Sequence, residues 1–225
     1  FSDGGSHATP DAAVEHAHRL VREGVDIVDV GGESTRPGSE PVDPDVELAR
    51  VLPVVRALAA AGIVVSIDTR RAMVMRAALA AGARIVNDIT ALTHDRDSLD
   101  VVARSSAGVI LMHMQGEPQT MQRAPAYADV VREVRDYLAA RVAACRAAGV
   151  APERIAVDPG IGFGKTVEHN LQLLAHLGEL RPLGTALVLG ASRKGFIGAV
   201  SGRGEDASAR LPGSLAAALA AEARG

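Results

Sequence analysis

The stretch AGIVVSID, residues 61–68, closes an alanine-rich run with a glycine and then stays apolar almost to its final aspartate. A glycine that follows a helical run adopts the left-handed cap conformation that ends a helix. A nearly continuous apolar run of this length is typical of a parallel strand that is covered on both faces. The segment therefore predicts a helix, an abrupt stop and a buried strand that ends at Asp68.

The same order recurs at five further places along the chain. The junctions are EGVDIVDV at Gly24, AGARIVND at Gly82, AGVILMHM at Gly108, AGVAPERIAVDP at Gly149 and LGTALVLG at Gly184. Helix starts agree with this pattern, because Thr9 and Asp43 each stand as a capping residue before a proline. Helices that alternate with strands, without a linker or a break in composition, predict a single α/β domain over residues 1–225.

Polar residues at the ends of the strand-like runs favour an eight-stranded (β/α)8 TIM barrel over a doubly wound sheet. They are Asp68, Asn87, His113, Asp158 and the pair Arg193 and Lys194. The carboxyl ends of all barrel strands converge on one mouth, whereas an open sheet gathers its ligands at the switch point. Because only six units are visible, we expect a barrel truncated at both ends, with the first and last strands outside this chain.

Composition excludes several classes of function. Hydrophobic residues make up 48% of the 225 residues and aromatic residues only 2%, so we expect an aliphatic core. A net charge of −3 without basic stripes gives no reason to expect nucleic acid. The single cysteine, Cys145, excludes an intrachain disulfide and a cysteine metal cluster. No apolar run approaches the roughly 18 residues that span a bilayer, so we expect a cytoplasmic protein without membrane contact.

The predicted mouth combines carboxylates with an amide. Asp68 and Asp158 accept hydrogen bonds, and Asn87 can both accept and donate them. This set suits a flat heterocycle whose adjacent N–H groups pair with a carboxylate. A metal site is less well supported, because no histidines are grouped with the acids. A helix cap in the following turn is the alternative role for each aspartate.

Two loops carry further signals. The loop GGESTRPGSEPVD, residues 31–43, is long and polar, so Thr35 and Arg36 are candidate anion contacts, with a solvated surface loop as the alternative. The stretch VDPGIGFGKT, residues 157–166, misses the phosphate-loop template because Pro159 stands at its first glycine. Its glycines indicate instead a loop that passes close to a flat ligand.

Seven motifs together resemble the dihydropteroate synthase family. They are FSDGG, DVGGESTRPG, SIDT, IVNDI, LMHM, DPGIGFGK and GASRKGF, in that order. The resemblance implies a pterin-binding TIM barrel that joins 6-hydroxymethyl-7,8-dihydropterin pyrophosphate to p-aminobenzoate, releasing pyrophosphate and 7,8-dihydropteroate. It also implies Mg2+ bound with the pyrophosphate, and a homodimer.

The resemblance implies a role for individual residues as well. Catalytic residues would be Asp68, Lys194 and Arg36, and the pterin would be bound by Asp68, Asn87, Asp158, Lys194 and Met112. The p-aminobenzoate and pyrophosphate would be bound by Thr35, Arg36, Pro37, Phe163 and Gly195, and Ser2, Asp3 and Gly4 would end a first mobile loop.

The chain departs from the family pattern in three ways. The family's metal-binding asparagine would precede Phe1, so no metal ligand is assigned within this chain, and the family's R-x-H motif would follow Gly225. Gly195 stands where the family often has a serine. A pterin-dependent methyltransferase and a non-catalytic barrel homologue remain alternatives, the former opposed by the GASRK lysine and the STRPG loop.

Overall fold

The computed structural model describes residues 9–202 and 206–224. Six parallel strands in this part of the chain form one sheet: β1 (Ile27–Gly31), β2 (Val64–Asp68), β3 (Ile85–Asp88), β4 (Gly108–Met112), β5 (Ile155–Asp158) and β6 (Ala186–Leu187). Each strand pairs with the next one in chain order, from β1 to β6. This order fits a barrel, since a doubly wound sheet reverses its strand order at the switch point. The predicted parallel α/β architecture is confirmed.

Helices connect the strands as the sequence predicts. They are α1 (Pro10–Arg22), α2 (Pro44–Ala60), α3 (Ala72–Ala80), α4 (Ser98–Ala103), α5 (Val130–Ala147), α6 (Val167–Ala175), α7 (Gly195–Ser201) and α8 (Leu211–Glu222), with short 3-10 turns at Pro152–Arg154, Leu177–Leu183 and Ser208–Arg210. Both predicted caps are confirmed. The Thr9 side chain accepts from the N–H of Ala12 at 3.3 Å, and Asp43 accepts from Asp45 at 2.9 Å.

The predicted glycine stops hold at five of the six junctions. Gly24, Gly62, Gly82, Gly149 and Gly184 have φ angles of 102°, 76°, 110°, 92° and 65°. The prediction for Gly108 is wrong, because this residue is the first of β4 and its N–H donates to the carbonyl of Arg84 at 2.9 Å. Helix α4 ends earlier, at Ala103, so an extended linker rather than a left-handed glycine joins it to the strand.

The core is aliphatic, as expected from the composition. Its fully buried side chains come from the strands, such as Ile67 and Leu111, and from the helices that cover them, such as Leu58, Met75 and Leu138. The last strand is shorter than its apolar run predicts. Only Ala186–Leu187 is a strand, although the N–H of Val188 still donates to Val157 at 2.9 Å.

Candidate active site

Strand register places the predicted acceptors at one edge of the sheet, which we call the mouth. Asp68, the last residue of β2, is the register partner of Asn87 on β3 and of Gly31 on β1. Asp158, the last residue of β5, is the partner of Met112 on β4. The mouth therefore brings together the polar strand ends that the sequence singled out.

A further acid, Asp29, belongs to this group and was missed by the sequence prediction. The Asn87 side-chain amide donates to Asp29 Oδ2 at 3.2 Å. Asp29 lies two residues before Gly31 on β1, so it shares the face on which Asp68 and Asn87 meet. A charged residue inside the otherwise apolar run IVDVG was the available signal. Read alone, it did not distinguish a mouth residue from a solvent-facing one.

Crowding of acids gives Asp68 an unusual proton affinity. Burial raises the pKa of Asp68 well above its ordinary value, and the neighbouring charge of Asp29 raises this pKa further. Asp68 does not cap the next helix, which corrects that alternative. The first residue before α3 is Arg71, and the N–H of Ala72 is bound by Asp95 Oδ2 at 2.9 Å.

Asp158 and Lys194 form the second polar group of the mouth. A Cβ built on Gly190 would lie 3.5 Å from both Asp158 Oδ2 and Lys194 Nζ, so the two charged ends converge on this glycine. Burial lowers the pKa of Lys194 to about 8, and the charge of Asp158 opposes that shift. Burial likewise raises the pKa of Asp158, and Lys194 opposes it. Asp158 also accepts from the N–H of Gly160 at 2.6 Å, so it stabilises the turn that follows.

Phe163 and Met112 line the mouth beside this pair. The Lys194 ammonium lies 4.7 Å from the centroid of the Phe163 ring, within the range of a cation–π contact. Phe163, Met112, Met121 and Ile89 form a small buried apolar cluster. The structure thus joins three predicted site residues, Phe163, Met112 and Lys194, in one neighbourhood.

Charged contacts fasten the base of the loop over residues 31–43. Glu33 accepts from Arg70 Nε at 3.1 Å and from an Arg71 guanidinium N–H at 2.7 Å, while Arg71 also pairs with buried Glu47. Arg70 bridges onward to Glu117 at 2.7 Å. These ion pairs hold the loop at Glu33, while Thr35 and Arg36 are half-buried. The anion-contact role and the solvated-loop alternative both stay predictions.

Thr35, Arg36 and Pro37 lie at a turn of this loop. The carbonyl of Arg36 accepts from the backbone N–H of Ser39 at 3.0 Å and from its hydroxyl at 2.8 Å. Glu33, two residues before Thr35, pairs with Arg70, which follows Asp68 by two residues. Gly195 begins α7 directly after Lys194, with open space where a Cβ would stand. Ser2, Asp3 and Gly4 lie outside the described residues.

The described ranges lack two features, a cluster of metal ligands and a membrane-spanning helix. Within residues 9–202 and 206–224, no three or more His, Cys, Asp or Glu side chains are grouped so that they could hold a metal ion. In the same part of the chain, none of the helices combines the length and apolarity needed to cross a bilayer.

Comparison with known proteins identifies the family. A family model described as pterin binding enzyme matches residues 1–225. The dihydropteroate synthase of Neisseria meningitidis serogroup C is 51% identical over 229 residues, covering 100% of this chain and 80% of that protein. The chain belongs to the dihydropteroate synthases.

Solved dihydropteroate synthases share the fold. The Xanthomonas albilineans enzyme with 4-aminobenzoic acid superposes with a TM-score of 0.91 at 48% identity, covering 100% of this chain and 80% of that one. The Burkholderia cenocepacia enzyme complexed with 7,8-dihydropteroate gives 0.88 at 52% identity, covering 96% and 79%. The TIM-barrel fold class predicted from the strand ends is confirmed.

Proposed function

We propose that this dihydropteroate synthase joins 6-hydroxymethyl-7,8-dihydropterin pyrophosphate to p-aminobenzoate, giving 7,8-dihydropteroate and pyrophosphate. The observation that carries the proposal is the mouth itself. A row of acceptors on β1 to β3 shares this mouth with Asp158, at the end of β5, and with buried Lys194, the residue before α7. Relatives with this fold have been solved with 4-aminobenzoic acid and with 7,8-dihydropteroate.

The pterin ring would lie across the mouth. A pterin presents adjacent N–H groups along one edge, and a carboxylate can accept two such bonds at once. Hydrogen bonds to the charged form of a carboxylate lower its pKa. The N–H donors of the ring would therefore lower the pKa of Asp68, which burial raises in the free protein. Asn87, Met112, Asp158 and Lys194 would complete the ring site.

The second substrate would bind nearer the loops. Phe163 offers an aromatic wall for p-aminobenzoate, and Lys194, 4.7 Å from its ring centroid, offers a positive charge at the boundary between the two substrates. Gly195 contributes a backbone N–H at the start of α7. Thr35, Arg36 and Pro37, on the loop over residues 31–43, would cover p-aminobenzoate and pyrophosphate from above.

The reaction would be a substitution at the pterin methylene carbon. The C–O bond to pyrophosphate breaks and carries its electron pair to the leaving group, and the electron-rich ring stabilises the positive charge that develops. Asp68 contributes negative charge to this state, and Arg36 neutralises the pyrophosphate. The aniline nitrogen then forms the new C–N bond and loses one proton. Aniline is already nucleophilic near neutral pH, so no strong base is required.

Mg2+ is part of the proposal through the pyrophosphate. Mg2+ in such sites is held by one or two carboxylates together with substrate phosphates and water. The described residues do not assemble a multidentate metal site, so the expectation rests on the leaving group. The test is turnover with Mg2+ against turnover with an excess of chelator, and full activity with chelator would contradict it.

We further propose a cytoplasmic homodimer. Leu211, Leu215 and Leu219 on α8 are 56%, 58% and 66% exposed. Their spacing of four residues places them on one helix face. An apolar stripe of this kind is suited to contact with a second copy of the chain. Light scattering of the full-length protein should give twice the chain mass, and Leu215→Glu should give a monomer. A monomeric wild type would contradict the proposal.

Product analysis tests the catalytic function. The full-length protein, given both substrates and Mg2+, should release one 7,8-dihydropteroate for each pyrophosphate. Binding of the pterin pyrophosphate without any product would favour the non-catalytic alternative. Methyl transfer from a methylated tetrahydropterin would favour the methyltransferase alternative.

A further inference from the structure

A buried lysine in the loop after β5 has no role in the function proposed so far. Lys165 is only 3% exposed. Its Nζ lies 3.0 Å from the carbonyl oxygen of Phe163, 3.0 Å from His113 Nδ1 and 3.3 Å from the carbonyl oxygen of His113. These hydrogen-bond partners are all neutral groups. Burial lowers the pKa of Lys165 to about 7, and the charge of Asp158 opposes that shift. Desolvating an ammonium group is unfavourable, and a methionine would fill the same volume without that penalty.

The groups that accept hydrogen bonds from Lys165 belong to two chain segments that lie in close contact. A Cβ on Gly160 would stand 1.9 Å from the carbonyl oxygen of His113, and one on Gly164 would stand 2.3 Å from that of Gln115. Both glycines have positive φ angles, 71° and 61°. The glycines of the GIGFGK motif therefore allow the loop to lie directly against the chain that continues from β4. Carbonyl oxygens of both segments then face the same small space, and Lys165 supplies the donor between them.

His113 is held so that it can accept from the ammonium. Its ring centroid lies 5.0 Å from that of Tyr137 in a perpendicular arrangement and 6.0 Å from that of Tyr127. Burial and, to a smaller extent, the charge of Lys165 lower the pKa of His113 to about 3. A neutral ring whose Nδ1 accepts must carry its proton on Nε2. When the Lys165 ammonium donates, the contact therefore sets the tautomer of His113.

The loop has other anchors that do not depend on Lys165. The N–H of Gly162 donates to Asn170 Oδ1 at 2.7 Å, and the Gly162 carbonyl accepts from Gln122 at 2.6 Å. Tyr127 donates its hydroxyl to the carbonyl of Gly164 at 2.8 Å. Removing the ammonium should therefore leave the loop folded and alter chiefly the position of Phe163, whose carbonyl would lose its donor.

We propose that Lys165 is a positioning residue for the second substrate: its ammonium clamps Phe163 to His113 and so holds the Phe163 ring beside Lys194. This inference rests on the proposed function, since it treats Phe163 as the wall of the p-aminobenzoate site. Lys165 itself touches no substrate in this scheme. The GIGFGK motif, which resembles a phosphate loop, instead carries a lysine that faces inward and ties two strand ends together.

Steady-state kinetics of the full-length protein tests the clamp. Lys165→Met keeps the apolar stem and removes the donors, and Lys165→Gln keeps a neutral donor. For Lys165→Met we expect the KM for p-aminobenzoate to rise about tenfold, since small displacements of positioning groups have effects of this order or larger. The Kd for the pterin pyrophosphate should stay within about twofold of wild type, and Lys165→Gln should recover part of the p-aminobenzoate effect.

Two results would overturn the inference. One is an unchanged KM for p-aminobenzoate in Lys165→Met. The other is an equal loss of affinity for both substrates, with a lowered Tm and no recovery in Lys165→Gln, which would make Lys165 a folding residue only.

A spectroscopic measurement keeps the inference testable if Lys165→Met does not fold or if wild type shows no turnover. In protein with 15N-labelled histidine, the His113 signal, assigned by its loss in His113→Gln, should show protonation at Nε2 and an accepting Nδ1. Protonation at Nδ1 would exclude the contact with Lys165 and overturn the clamp. Absence of product from the wild type, with the Nε2 tautomer present, would instead count against the proposed function alone.

Discussion

The two sides of the mouth differ in the charges that surround their aspartates, Asp68 and Asp158. On the β2 side, burial raises the pKa of Asp68 most, and the negative charges of Asp29, Asp88 and Glu47 raise it further. On the β5 side, burial also raises the pKa of Asp158, but the charges of Lys194 and Lys165 oppose that rise. The β5 side thus contains cations that oppose the effect of burial on its aspartate. On the β2 side we propose that the hydrogen-bond donors of a bound ligand would do so.

Among the variants that test this difference between the two sides of the mouth, Asp68→Asn should have the largest effect on activity. The variant loses the negative charge and presents an amide N–H toward a ring edge that itself donates, so we expect kcat/KM to fall at least about a hundredfold. Titration calorimetry of wild type with 6-hydroxymethylpterin, in buffers of different ionisation enthalpy, should reveal proton release. That release should vanish in Asp68→Asn.

Asp136→Asn, on the exposed surface of α5, is the matched control and should behave as wild type. If Asp68→Asn retained full turnover and unchanged pterin affinity, the role proposed for Asp68 would be wrong.

Lys194 should make the other side of the mouth sensitive to pH. Its pKa of about 8 means that the ammonium is charged below this pH and neutral above it. The affinity for the anionic p-aminobenzoate should therefore fall as pH rises through 8, by at most about tenfold per pH unit. The KM for p-aminobenzoate, measured from pH 6.5 to 9.5, checks this.

Lys194→Arg supplies the control, because a guanidinium stays charged over this range. The pH dependence should disappear in this variant even if its absolute affinity changes. A flat wild-type profile would show that the charge of Lys194 does not act on this substrate.

Asp29→Asn should remove one of the acids that raise the pKa of Asp68 on the β2 side of the mouth. The pKa of Asp68 is raised in the folded protein, so the folded state keeps a proton that the unfolded state has lost. Stability of wild type should therefore fall as pH rises above the ordinary pKa of an aspartate. Removing the charge of Asp29 should weaken that fall and stabilise the protein by under about 1 kcal/mol near pH 7. Urea unfolding at several pH values measures the free energy of unfolding of wild type and of Asp29→Asn. An identical pH dependence in the two proteins would show that the charge of Asp29 does not act on Asp68.

Gly195→Ser is expected to have the smallest effect. No atom lies within 4 Å of a Cβ built at Gly195, so the substitution should change stability by less than about 0.5 kcal/mol. A hydroxyl that reaches the p-aminobenzoate carboxylate should lower its KM by about three- to tenfold, the range of one hydrogen bond. Gly195→Ala adds the Cβ without the hydroxyl and should leave the KM unchanged. Equal effects of both variants would show that the hydroxyl makes no such bond.

The sequence by itself determined the order of helices and strands, the starts of α1 and α2, and five of the six helix stops. Thr9 and Asp43 cap the helices that they were predicted to begin, and Gly62 takes the left-handed conformation before β2. These features depend on a few neighbouring residues: an apolar period, a capping oxygen, or a backbone without Cβ. Because parallel strands end at a common edge, Asp68, Asn87 and Asp158 could also be assigned to one mouth.

Only the tertiary structure decided which residues meet there and what their charges do. Asp29 reaches Asn87 across 58 residues of sequence, and Lys165 reaches His113 across 52. Such contacts depend on the register of paired strands and on how closely two backbones approach, which no local pattern encodes. The glycines of the GIGFGK motif were predicted to let the loop pass close to a flat ligand, which stays a prediction. The structure shows that Gly160 and Gly164 let it lie against the chain that follows β4, and the inward position of Lys165 became visible only in the folded protein.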